Sequence, residues 1–67
     1  MVIRVKILET NKEVELNIDK VKVKDLLKQL GLLTMEHIVL RNNVIVTEDD
    51  ELVDGDEVVV FTIKSGG

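Results

Sequence analysis

Residues able to do chemistry are scarce in this chain, and the most suggestive are two glycines. Gly66 and Gly67 follow Lys64 and Ser65, which in turn follow Glu57-Val58-Val59-Val60-Phe61-Thr62-Ile63, a strongly strand-forming run. The pattern is a stiff strand feeding a short tail without large side chains. Glycine lets a backbone approach other surfaces closely, so an arm of this kind suits a narrow slot in a partner. A carboxylate on Gly67 would have an ordinary pKa of about 3.3–3.7, leaving it ionised and inert to nucleophiles until something activates it. The sequence therefore reads as a device for presenting that carboxylate.

Nothing else in the chain competes as a reactive group. There is no cysteine, which excludes disulfides and thiolate metal ligation. The single histidine, His37, reads as a surface residue at the start of a strand. Glu48, Asp49, Asp50 and Glu51, with Asp54, Asp56 and Glu57, form an acidic run whose spacing does not fit a calcium loop, so no metal is assigned. This run and the basic Lys20, Lys22, Lys24 and Lys28 read as solvated faces. The acidic face could still meet a basic surface on a partner.

The elements that must position the tail are legible from periodicity. Residues 2–8 alternate Ile3, Val5 and Ile7 against Arg4 and Lys6, a half-buried strand, and residues 13–18 alternate again through Val14, Leu16 and Ile18. With the polar turn at residues 9–12 they form a β-hairpin. The period then changes: Val23, Leu26, Leu27 and Leu30 make one stripe of an amphipathic helix. We place its start at Val23, with Asp25 favouring the dipole of the first turn and Gly31 as the C′ residue, although Lys22 is a poor N-cap. Residues 32–36 connect, with Leu32 folded against the core. Residues 37–41 and 44–46 are two further strands about an Asn42-Asn43 turn that needs positive φ. Residues 47–51 are a polar link, Leu52 and Val53 a small apolar anchor, and Asp54-Gly55-Asp56 a turn into the final strand, residues 57–63.

One helix can bury one stripe, so it must cross one face of a sheet made by everything else. The expected core packs Val23, Leu26, Leu27 and Leu30 against Ile3, Val5, Val14, Leu16 and Val58. The long first and last strands should lie side by side and parallel at the centre. This is an α+β, β-grasp (ubiquitin-like) arrangement: a mixed four- to five-stranded sheet with one main helix packed across it. Residues 1–63 form the domain and residues 64–67 a flexible tail.

Composition sets the remaining bounds. The 67 residues make one small domain, and the 45% hydrophobic content must supply its stability. A net charge of −4 and a single aromatic residue argue against direct nucleic-acid binding. No apolar run reaches membrane-spanning length and no signal-peptide pattern is present, so the expectation is a cytoplasmic protein without membrane contact, and a monomer.

These residues resemble a known family, the ubiquitin-like sulfur carriers of the β-grasp class. Val23-Lys24-Asp25-Leu26-Leu27 with Leu30-Gly31-Leu32 is similar to the family's helix and glycine stop. Residues 39–46 resemble its central hairpin, where Asn-Gly is commoner than Asn-Asn. Leu52-Val53-Asp54-Gly55-Asp56-Glu57-Val58 resembles the turn into its last strand, and Gly66-Gly67 its terminal pair. Lys22 departs from the family, which often has a threonine cap there. Length and the lack of prolines before the tail make the chain more similar to the thiamine-type carrier, or to a small archaeal modifier, than to the molybdopterin synthase subunit.

The resemblance implies that the chain is no enzyme and binds no cofactor itself. A ubiquitin-activating-like adenylating enzyme would use ATP to activate Gly67, holding Lys64, Ser65, Gly66 and Gly67 as the tail. A persulfide would then displace AMP to give a thiocarboxylate, for donation to a sulfur-accepting synthase (of thiazole or molybdopterin) or a tRNA thiolase. Members of the class are also joined to lysines of target proteins. If Val58 and Val60 face the helix, Val59, Phe61 and Ile63 face outward as a partner-docking patch. The readings left open are sulfur carrier, lysine-conjugated modifier and β-grasp interaction domain.

Overall fold

The computed structural model describes residues 1–63. Alternation in the first segment yields β1, Ile3–Ile7, whose Ile3, Val5 and Ile7 are buried while Arg4 and Lys6 are exposed. It pairs antiparallel with β2, Lys12–Leu16, through Val5 opposite Val14. The final strand β7, Glu57–Thr62, lies parallel to β1, with Val5 opposite Val58 and Ile7 opposite Val60. On its other side runs β4, His37–Arg41, antiparallel, followed by β5, Val44–Val46. The sheet order is β2-β1-β7-β4-β5, so the central parallel pair is as the sequence predicts.

Two short strands were not legible as strands. β3, Lys20–Lys22, and β6, Glu51–Val53, pair antiparallel as a separate two-stranded sheet. The apolar anchor is therefore a strand, and its Leu52 is a fully buried core residue. Val39 and Val60 also join the core, whereas Val14, Leu16 and Leu30 pack against it only in part. The helix stripe is otherwise the expected one, with Val23, Leu26 and Leu27 buried.

Helix α1, Val23–Gln29, starts where the period changes, although Lys22 makes no side-chain cap. The orphan amides of its first turn are satisfied from elsewhere: Val23 N–H donates to the Asp50 carbonyl (2.9 Å) and Lys24 N–H to that of Glu48 (3.0 Å). At the far end Gly31 has φ +74°, its N–H donates to Lys28 O, and Leu32 N–H donates to Leu27 O. Those two bonds are a Schellman motif, and they explain both the glycine and the inward placing of Leu32. A 3₁₀ turn, Thr34–Glu36, then leads into β4.

His37 differs from expectation. It is half-buried, and its Nδ1 lies 2.7 Å from the Leu33 carbonyl. A carbonyl can only accept, so Nδ1 is the protonated nitrogen. Among the described residues its Nε2 is buried without a partner, as is the Thr62 Oγ1 on the residue directly opposite.

Candidate functional site

The strand that leads to the tail is held in register at its start by the Asp54-Gly55-Asp56 turn. Gly55 adopts φ +90° and its N–H donates to Val2 O. The Asp54 carboxylate accepts Val2 N–H (2.6 Å), and Asp54 N–H donates to Asp19 O (2.9 Å). Asp56 is a buried carboxylate that accepts Val53 N–H (2.8 Å) and the Asn42 side-chain amide (3.3 Å). The Asn42 side-chain oxygen accepts Glu57 N–H (3.1 Å), and Asn42 N–H donates to Glu57 O (2.8 Å). The first residue of β7 is thus pinned to the β4–β5 turn. A six-residue strand then carries the chain about 20 Å to its other end.

β7 occupies the middle of the sheet, between β1 and β4, and its two faces are unequal. Val58 and Val60 are buried under the helix, while Val59 and Phe61 face the other way and are half-buried. Register places Ile38 of β4 opposite Phe61, Leu40 opposite Val59, and Ile45 of β5 opposite Leu40. Half of the helix-free face is therefore an apolar strip of Ile38, Leu40, Ile45, Val59 and Phe61, with Ile45 left 68% exposed. The other half carries Arg4, Lys6, Glu13 and Glu15, with Arg4 Nε 3.4 Å from Glu15 Oε2. A shallow depression runs over this charged half towards Val59.

Of the patch expected from sequence, Val59 and Phe61 share this face, and Ile63 lies just past the end of β7, exposed. Ile63 is fixed at that point: its N–H donates to the Glu36 carbonyl (2.8 Å). Lys64, Ser65, Gly66 and Gly67 lie outside the described residues, as does the 63/64 domain boundary drawn from sequence. Sequence reasoning missed Ile38, Leu40 and Ile45 as members of the same strip. Alternation within residues 37–46 contained that signal, but only the pairing of β4 with β7 brings the two sets together.

The geometry offers a partner an apolar strip, a charged border and a central strand whose end at Ile63 is fixed by the Glu36 carbonyl. Among the described residues no group of three His, Cys, Asp or Glu side chains is placed to hold a metal ion.

Comparison with known proteins agrees with this architecture. The crystal structure of SAMP1 from Haloferax volcanii superposes with a TM-score of 0.71 over 100% of both chains, at 22% sequence identity. At that identity the likeness speaks for the fold alone. The sequence itself matches the ThiS family over residues 4–67, which is nearly its whole length and includes Gly66 and Gly67. The chain therefore belongs to the ThiS family, as a β-grasp protein of the ubiquitin-like sulfur-carrier family that is not itself an enzyme.

Proposed function

We propose that this protein is a sulfur carrier whose Gly67 carboxylate is adenylated by an ATP-dependent activating enzyme and then converted to a thiocarboxylate. The observation that carries the reading is the family match running through residue 67, on a chain without cysteine. In the first step a carboxylate oxygen attacks the α-phosphorus of ATP and expels pyrophosphate. The acyl-adenylate now has a good leaving group. A persulfide sulfur attacks the acyl carbon and AMP departs, leaving an acyl disulfide. A second thiol cleaves the S–S bond, releasing the thiocarboxylate and forming a disulfide on the donor.

The apolar strip of Val59 and Phe61, extended by Ile38, Leu40 and Ile45, serves in this reading as the docking face for the activating enzyme. Exposed apolar area of this kind in a small acidic protein supports it. The acceptor would be a thiazole-forming synthase or a tRNA thiolase. Conjugation to lysines is the second reading. It shares the adenylated intermediate and differs only in the nucleophile, an amine in place of a persulfide.

Mass spectrometry of the intact protein separates these. Incubation with the activating enzyme, ATP and a persulfide donor should add about 16 Da, one oxygen replaced by sulfur. Conjugation would instead leave a branched Gly-Gly remnant on lysines of other proteins after digestion. With neither product, both readings fail and a non-catalytic interaction domain replaces them.

A further inference from the structure

Exposed large apolar side chains are not confined to the helix-free face of the sheet. Leu33 is 57% exposed and Met35 83%, and both lie in the segment that follows the helix. This segment is tied to the tail root: Glu36 O accepts Ile63 N–H, and Leu33 O lies 2.7 Å from His37 Nδ1. His37 in turn sits opposite Thr62. Leu33 and Met35 therefore supply an apolar rim on the segment whose Glu36 carbonyl holds Ile63, beside the place where β7 ends.

Reach makes this rim more than an incidental exposure. Gly67 is four residues beyond Ile63, and four residues of fully extended chain span at most about 14 Å. An enzyme that brings ATP to the Gly67 carboxylate must place its catalytic centre within that distance of Ile63. Its surface around the tail slot then has to lie against whatever surrounds Ile63, and what surrounds it on the helix side is the 3₁₀ segment. Adenylation is also the step common to the carrier and the modifier readings, so a rim fixed in the fold would serve that partner in either case.

We propose that Leu33 and Met35 form a second contact line for the adenylating enzyme, on the helix side of the tail root and distinct from the strip on the sheet. The proposal rests on the functional reading above. Being unbranched and flexible, Met35 suits a contact that must adapt to a partner's surface.

The test uses the full chain and the purified adenylating enzyme of the same cell, following carrier-dependent ATP–pyrophosphate exchange. Met35→Lys and the double variant Leu33→Ser with Met35→Lys are compared with the unaltered protein, along with thermal unfolding of each. The expected result is a rise in KM for the carrier of about tenfold or more, the loss of one interface anchor, with kcat held within about twofold. Unfolding should be unchanged for Met35→Lys, which replaces an exposed side chain. Should the double variant unfold, Met35→Lys alone decides. Exchange by the unaltered protein with a KM change below about threefold in the variants would overturn the rim while sparing the functional reading. A defect confined to sulfur transfer from thiocarboxylated carrier to acceptor would overturn the choice of partner. No exchange with the unaltered protein removes the functional reading and the rim together.

Discussion

At the scale of single residues, two adjacent asparagines have opposite duties. Asn42 (φ +52°) and Asn43 (φ +70°) both adopt the left-handed region that the two-residue β4–β5 turn requires. Asn42 also uses its side chain, holding Glu57 N–H and donating to the buried Asp56. Among the described residues Asn43 makes no side-chain hydrogen bond. Glycine satisfies the backbone at either position, so the side chains decide the outcome. Asn42→Gly should destabilise by about 1–2 kcal/mol through its lost bonds, while Asn43→Gly should stay within about 0.5 kcal/mol or stabilise. Urea denaturation of the two variants tests this, and equal losses would refute the assigned role of Asn42. Phe61 poses a different question, because it is half-buried against a neighbouring strand and not under the helix. Phe61→Ala should weaken binding to the activating enzyme by about 2 kcal/mol or more, and folding by less. Unchanged affinity with a collapsed melting temperature would return Phe61 to the core.

At the scale of elements, the helix start shows how a weak local signal is completed from a distance. Lys22 cannot cap, yet the helix begins beside it because carbonyls of Glu48 and Asp50 receive the first amides. That loop is itself held by Asp50, whose carboxylate accepts Thr47 N–H (2.7 Å) and lies 3.2 Å from Thr47 Oγ1. Asp50→Ala should therefore cost about 1–2 kcal/mol, more than the roughly 0.5 kcal/mol typical of an exposed residue. A chemical denaturation curve indistinguishable from the parent would show that the loop caps the helix without help from Asp50. The same comparison shows what the sequence could express. Helix, glycine stop and both hairpins follow from local period and turn chemistry, and the central parallel pair from the length of the first and last strands. β3 and β6 do not, because three-residue strands are too short to show alternation and exist only through each other. For the site, Val59 and Phe61 could be assigned to a face once Val58 and Val60 were given to the core. Ile38, Leu40 and Ile45 joined them only through pairing between strands distant in sequence. Leu33 and Met35 carried no periodic signal, since a 3₁₀ turn has no face to advertise.

At the scale of the whole molecule, stability and function should separate cleanly along the chain. Every fully buried apolar residue described lies between Ile3 and Val60, gathered from four strands and the helix. Leu27 comes from the helix and Leu52 from the small sheet, so both layers meet in one core. Truncating either to Ala should cost about 2–5 kcal/mol, a large share of the stability of so small a domain. Deleting Gly66 and Gly67 should do the reverse, leaving the unfolding curve unchanged while abolishing the 16-Da product of the activation assay. Adding one alanine after Gly67 is the sharper variant, because it keeps a carboxylate and every existing residue. It moves the reacting carbon by about 3.5 Å, where misplacement by 1 Å can lower a rate about 100-fold. The extended protein should therefore still compete with the parent for the activating enzyme through its docking face, yet fail to be adenylated. Competition assays read as the inhibition of ATP–pyrophosphate exchange separate the two effects. Adenylation of the extended protein at the parental rate would mean that the enzyme does not measure the distance from Ile63 to the carboxylate, and the reach argument built on that distance would fall.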